Sequence, residues 1–351
     1  MIKYSFFILI WLLYACASAD ERYNIKEYRH ASNKILSNSR LSMLKEEVAR
    51  QNIPLFSISI ITQGSLVATY LIGKDDLSNY SDITLFQAGS LSKLVSSCTM
   101  LALSKRCDEP IELNSTLIHY LNHTAGINTV GFWGYIWSSP TNNDIVNGNK
   151  TNWFNPKPRQ KYNCNQRFSY SGGGYSILQD SIEKKENKSF DAIVHQELFK
   201  PLNLTHSTFV LTPQKSYVDG SIISVPITHL KYPQSAAAGL WSTTNEYALL
   251  LCEIFNASQN KGKLFAWNDI KKLMQTSQTI DGQTNNYGLG CFVEDDIIFH
   301  SGRTIGYTAF FEMSVKSGNG FVFMCNKHNI NKTEVIDIVK TQIMDLLTYT
   351  S

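Results

Sequence analysis

Ser90 and Lys93 stand three positions apart in the stretch Thr84–Lys105, TLFQAGSLSKLVSSCTMLALSK. Residues so spaced on a helix have Cβ atoms about 5–6 Å apart, so a lysine Nζ reaches a serine Oγ. A hydroxyl beside an amine is a nucleophile beside its base. Backbone N–H groups of a first helical turn point the same way, ready for a developing oxyanion. For this chemistry a short strand, Thr84 to Ala88, must meet a turn at Gly89, with a helix opening at Ser90. Leu91, Leu94, Val95, Cys98, Leu101 and Ala102 supply the apolar stripe that would seat that helix. The pair alone does not decide. The same spacing occurs at Ser42–Lys45, Ser181–Lys184 and Ser258–Lys261, to which no catalytic role is given. A helix cap and a solvated charge explain Ser90 and Lys93 equally well in isolation.

The chain has 351 residues, 43% of them hydrophobic and 17% charged, enough to bury a large core. Its net charge is +3 with the basic residues scattered, which argues against a nucleic-acid partner. Residues 1–19 read as a signal peptide: Lys3, an apolar run from Phe6 to Tyr14, and Ala17-Ser18-Ala19 before Asp20. Lipoprotein cleavage at Cys16 is the alternative, disfavoured by bulky Tyr14. Export, to a periplasm or the exterior, is therefore expected, with no stable membrane insertion after cleavage. Cys98, Cys107, Cys164, Cys252, Cys291 and Cys325 would remain, widely spaced and with frequently apolar neighbours, unlike a disulfide framework. Cys-x-x-Cys, His-Glu-x-x-His and Gly-x-Ser-x-Gly are absent, so neither a zinc site nor an α/β-hydrolase elbow is expected.

Residues Ser32–Arg50 read as a helix, and Phe56–Thr62 and Leu66–Ile72 as strands of a hairpin about Gln63-Gly64. After the Ser90 helix come a polar turn at Cys107–Pro110 and a helix near Ser115–Leu121. Gly126 to Arg167 is long, aromatic and irregular, with Phe132, Trp133, Tyr135, Trp137, Trp153 and Phe154. A loop of this length usually shapes a site, here a wall for an apolar or ring-bearing substrate, or packs as ordinary loop. Helices follow at Ile177–Lys185 and Ser189–Phe199. Ala236–Trp241 reads as small and flexible, and a helix runs from Thr243 through Phe255. Tyr287–Val293, Ile297–His300, Thr308–Val315 and Phe321–Cys325 read as antiparallel strands, and Thr333–Leu347 as the last helix. The expected fold is α/β of the α+β kind: one antiparallel sheet built from both termini, flanked by helices, with an inserted, mainly helical subdomain. The sheet part would take about 33–85 and 215–351, the helical part about 90–214, within a catalytic domain spanning 20–351.

Three pieces fall in order: Ser90-Leu91-Ser92-Lys93, Tyr170-Ser171-Gly172 and His300-Ser301-Gly302. Together they resemble the β-lactamase-related serine hydrolases, which include class C β-lactamases, penicillin-binding D,D-peptidases, D-aminopeptidases and esterases. His123-Thr124-Ala125-Gly126-Ile127, Ala237-Ala238-Gly239-Leu240-Trp241-Ser242-Thr243 and Tyr287-Gly288-Leu289-Gly290 extend the resemblance over roughly 33–345. The resemblance implies that Ser90 is acylated by an ester or amide, with Lys93 and Tyr170 moving its proton. It implies backbone N–H groups of Ser90 and Arg303 as the oxyanion hole, with Gly172, His300, Ser301, Gly302 and Arg303 around the substrate. No metal and no cofactor are implied, and the partner is a small-molecule or peptide substrate.

Two positions depart from class C β-lactamases. Gly172 replaces the Asn that binds the acylamino side chain, and His300 replaces the Lys that helps bind the substrate carboxylate. His300 would be partly charged near neutrality, so carboxylate binding should strengthen as pH falls. Both changes weaken the case for efficient β-lactam hydrolysis. The competing reading is a non-catalytic receptor that keeps the fold and binds cell-wall peptide or a protein; retention of Ser90, Lys93 and Tyr170 argues against it.

Overall fold

A computed structural model describes residues 23–30, 36–74, 76–106, 115–136, 139–222, 225–282 and 284–348, with side chains described as far as 341. The expected signal peptide, the start of the first helix, the turn at Cys107–Pro110 and Trp137 lie outside the described residues.

Gln63 and Gly64 both adopt positive φ, 50° and 72°, the turn geometry whose twist matches that of a hairpin. The turn joins β2 (Leu55–Thr62) to β3 (Ser65–Lys74). Near the other end of the chain β4 (Phe292–Glu294), β5 (Ile297–Thr304), β6 (Tyr307–Ser314) and β7 (Gly320–Cys325) form a meander. β7 pairs with β2, so the strands from both ends of the chain build one antiparallel sheet, in the order β1 (Tyr23–Arg29)-β3-β2-β7-β6-β5-β4. β1 is an edge strand that the charged sequence YNIKEYR does not announce.

Both faces of the sheet are covered, so β7 is an apolar run and β2 is buried even where it alternates, Ser57 and Ser59 reaching Thr244 Oγ1 at 2.7 and 2.8 Å. On one face α1 (Asn38–Arg50) and the C-terminal helix Lys332–Thr348 place Leu44, Val48, Val335 and Val339 against Phe56, Ile58, Phe321 and Phe323. On the other, α2 (Ser92–Leu103) and the helix Thr244–Ser258 pack Leu94, Cys98, Leu101 and Leu251 against Ile61, Phe311 and Val322. The helical region from 115 to 202 stacks on α2, and the helix Ser115–Leu121 has the expected bounds.

Three expectations change, and one helix is added. The stretch near 84–88 keeps only Phe86–Gln87 as a strand, paired to Trp241–Ser242 outside the main sheet. Ala236–Trp241 is not flexible: Ser235–Ala238 is a helical turn with Ala236 and Ala237 fully buried, small because it is wedged beside α2. Tyr287–Val293 is mostly a buried loop, and strand begins only at Phe292. A helix also runs over Trp267–Met274, opened by Asp269 and closed by Lys271 and Lys272. Cys98, Cys164, Cys252, Cys291 and Cys325 are free thiols, and all but Cys164 are buried.

Candidate active site

Ser90 sits in a 3₁₀ turn, Gly89–Leu91, that leads into α2. The turn presses on β5 so closely that only glycine fits on both sides. Gly89 has φ +54°, and a Cβ there would lie 2.7 Å from the Arg303 backbone nitrogen. A Cβ on Gly302 would lie 2.0 Å from the Ala88 carbonyl oxygen. The backbone of Arg303 is thus brought against the turn that carries Ser90. β4 pairs β5 only over Ile297–Phe299, so among the described residues the outer edge of His300–Thr304 has no strand beside it. Thr304 Oγ1 donates to Gln87 Oε1 at 3.0 Å and pins that edge to the strand preceding Ser90.

α2 is buried on every side, not only along its apolar stripe. Its serines are matched by distant partners: Leu240 N–H donates to Ser92 Oγ at 3.0 Å, and Ser96 Oγ donates to Ala236 O at 2.9 Å. Lys93 shares this burial at 2% exposure, whereas the Lys184 side chain of the Ser181–Lys184 pair is 59% exposed and bound to Asp180. Lys93 Nζ lies 3.1 Å from Ser90 Oγ and donates to Ala237 O at 2.8 Å. Burial holds its ammonium pKa down to about 7. Near neutrality a large share of Lys93 is therefore the free amine, one N–H fixed on Ala237 O and its lone pair available to the Ser90 hydroxyl.

Tyr170 precedes α3, the helix Gly172–Glu186, which Ser171 caps by accepting the Gly174 N–H. Its ring lies 5.0 Å from Lys93 Nζ, and its hydroxyl is 3.5 Å from His300 Nε2. Burial pushes the Tyr170 phenol well above its ordinary value, and a hydrogen bond with Ser90 offsets only part of that. Tyr170 therefore keeps its proton near neutrality.

His300 Nδ1 is 2.7 Å from Ser301 O, which can only accept, so Nδ1 carries the proton. His300 Nε2 then accepts from the Tyr287 hydroxyl at 3.0 Å. Burial, with the Lys93 charge as a second cause, lowers the His300 pKa to about 3. The expectation of a partly charged His300 near neutrality is overturned: the ring is neutral because it is 2% exposed, and the Lys93 ammonium, where protonated, opposes a second charge beside it. His123 is held similarly. Its Nδ1 accepts the Ser171 N–H at 3.0 Å, and its ring packs 4.3 Å from Tyr170 and 4.6 Å from Tyr287.

Gly172 lies against the loop from Gly126 to Arg167, donating its N–H to Val130 O at 2.9 Å. A Cβ there would meet Val130 O at 3.1 Å and Phe132 Cε2 at 3.3 Å, so the loop fills the room that a longer side chain needs. Beside it, Phe132, Tyr232, Arg303 and Asn329 line a cleft of about 450 Å³. The Arg303 side chain reaches Asn329 Oδ1 at 3.3 Å, and Ser301 contributes its carbonyl to His300. Tyr287, His123 and Ala237 lie within the sequence motifs, where their types alone assign them no role. Each holds a polar atom of the Ser90 surroundings in place.

A family model described as Beta-lactamase matches residues 42–342. The chain belongs to this family. Protein flp of Staphylococcus aureus (strain N315) is 23% identical over 337 residues, covering 88% of this chain and 67% of flp. The putative penicillin-binding protein PbpX of Bacillus subtilis (strain 168) is 23% identical over 314 residues, covering 82% of this chain and 74% of PbpX. Among solved structures, the octameric penicillin-binding protein homologue from Pyrococcus abyssi superimposes with a TM-score of 0.65 at 20% identity, covering 82% of this chain and 73% of its own. The D-amino acid amidase from Ochrobactrum anthropi SV3 gives a TM-score of 0.68 at 14% identity, covering 89% of this chain and 99% of its own. These likenesses establish the serine β-lactamase and penicillin-binding-protein fold for this family member. Among the described residues no helix is long and apolar enough to cross a membrane.

Proposed function

We propose that this chain is an exported serine hydrolase that forms an acyl-enzyme on Ser90 and cleaves an ester or a small amide. The observation that carries the reading is Lys93: a buried amine with a pKa near 7, placed 3.1 Å from the Ser90 hydroxyl. A general base works best with a pKa near the operating pH. As Ser90 Oγ attacks the substrate carbonyl carbon, its proton passes to Lys93 Nζ. The carbonyl π pair moves onto oxygen, between the N–H groups of Ser90 and Arg303. Collapse re-forms the carbonyl, breaks the bond to the leaving alcohol or amine, and leaves that group to take a proton from Tyr170. Tyr170, kept protonated by burial, suits the acid role better than the base role. The lysinium proton returns to Tyr170 through the Ser90 surroundings. Water then attacks the acyl ester by the reverse proton route and restores Ser90.

Gly172 and the neutral His300 remove two groups that would orient a β-lactam, and each lost hydrogen bond to a charged group is worth about 1.5–3 kcal/mol. Short-chain esters and D-amino-acid amides, the latter suggested by the amidase among the fold neighbours, are the first candidates. Export rests on residues 1–19. A screen of p-nitrophenyl esters, D-amino-acid amides and a chromogenic cephalosporin tests the reading. It predicts ester or amide turnover clearly above cephalosporin turnover, and cephalosporin hydrolysis as the fastest reaction would contradict it. N-terminal sequencing of the mature protein should give Asp20; a lipid-modified Cys16 would overturn that cleavage.

A further inference from the structure

The loop from Gly126 to Arg167 carries a surface that the catalytic reading does not use. Val130, Trp133, Trp153 and Phe154 are 64%, 58%, 92% and 54% exposed. The Trp133 and Phe154 rings lie 5.2 Å apart, so these side chains share one surface. With Lys157 and Arg159 they line an open groove of about 650 Å³. Exposed apolar side chains at this density mark an interaction surface rather than ordinary surface.

Charge selects the partner. Between Asn128 and Tyr170 the basic residues are Lys150, Lys157, Arg159, Lys161 and Arg167, and the sole acidic residue is Asp144. Asp144 is itself 3.6 Å from Lys150. Lys157 and Arg159 are exposed beside the aromatic rings. Tryptophan rings flanked by basic side chains suit the boundary between headgroups and acyl chains of a negatively charged bilayer. Tight apolar packing, which a folded protein partner would require, is not offered by an open groove with a nearly free Trp153. We infer that this aromatic and basic rim docks on the surface of an anionic lipid bilayer. Gly131 and Trp133 line both the rim and the Arg303 cleft, so docking sets the mouth of that cleft at the lipid surface. The inference concerns a surface and stands whether or not Ser90 is acylated.

The test is co-sedimentation of the full chain with phosphatidylcholine vesicles, with and without phosphatidylglycerol. Differences are read between proteins sharing residues 1–19, so any contribution of that segment is common to all. Wild type should prefer the anionic vesicles, and the preference should fall as salt rises. Lys157→Ala with Arg159→Ala should weaken anionic binding about 25-fold, about fivefold for each basic residue at such a surface. Brominated lipid should quench wild-type fluorescence more than that of Trp153→Phe, placing Trp153 in the bilayer boundary. Equal binding to both vesicle types, or no response to the double substitution, would overturn the inference. So would absent quenching of Trp153. A Trp153→Ala variant with unchanged vesicle binding and a raised KM for long-chain esters would assign the rim to the substrate instead.

Discussion

The turn that carries Ser90 and the loop from Gly126 to Arg167 that covers Gly172 are built on opposite terms. At the turn, clearances are so small that Gly89 and Gly302 admit no Cβ, and Lys93 and His300 are each 2% exposed. In the loop, Trp153 is 92% exposed, and Trp133 and Phe154 reach water as well. The difference separates two tasks. Burial without a carboxylate partner is what brings an amine to a pKa near 7, so chemistry needs the closed region. Recognition needs surface that is not already satisfied by the protein itself, which the loop provides.

Substitutions at the closed region should act on chemistry, and the largest effect is expected at the base. Lys93→Met should lower kcat about 10²–10⁴-fold, the usual span for a positioned general base, while the fold survives. A kcat within threefold of wild type would remove Lys93 from the mechanism. Gly302→Ala should follow, because its Cβ must displace the Ala88 carbonyl 2.0 Å away and move the Ser90 turn with it. We expect about 100-fold lower kcat/KM and a stability loss of about 1–3 kcal/mol by denaturant titration.

At the boundary between the regions effects should be smaller and specific to substrate. Phe132→Ala removes the ring that would stand 3.3 Å from a Cβ at position 172. It should improve kcat/KM for bulky N-acylated substrates about tenfold, the worth of modest new apolar contact, relative to small esters. An equal change for both substrate types would place Phe132 outside the discrimination. The smallest effect concerns pH. Because His300 is neutral above about 3 while the Lys93 ammonium titrates near 7, any pH dependence of KM for an anionic substrate between pH 6 and 8 should survive His300→Gln. A dependence that His300→Gln removes would mean that His300 gains its proton in that window.

Much of this arrangement was legible in the sequence, for identifiable reasons. The pairing of Ser90 with Lys93 follows from helical spacing, and the hairpin at Gln63-Gly64 from turn chemistry. The joining of the N-terminal hairpin to the C-terminal meander also came through, as the β2–β7 pairing. Other features depend on partners far along the chain. Nothing local says that Ser96 will find Ala236 O, or that Lys93 will find Ala237 O, so α2 read as amphipathic although it is buried throughout. Ala236–Trp241 reads as flexible because small residues signal both loops and close packing. The charge of His300 depends on burial, which a strand-end position does not reveal. The helix Asn142–Asn147 was passed over although Thr141 and Asp144 form its capping box.

The central claim is that Ser90 is acylated with the free amine of Lys93 as base. Intact-mass measurement of labelling by a fluorophosphonate, across a range of pH, tests it most directly. Lys93 is protonated below its pKa and free above it, so the labelling rate should fall about tenfold per pH unit below about 7 and level off above it. Wild type should gain one label, and Ser90→Ala none, while Ser42→Ala and Ser258→Ala label as wild type. A label that persists in Ser90→Ala would contradict the account.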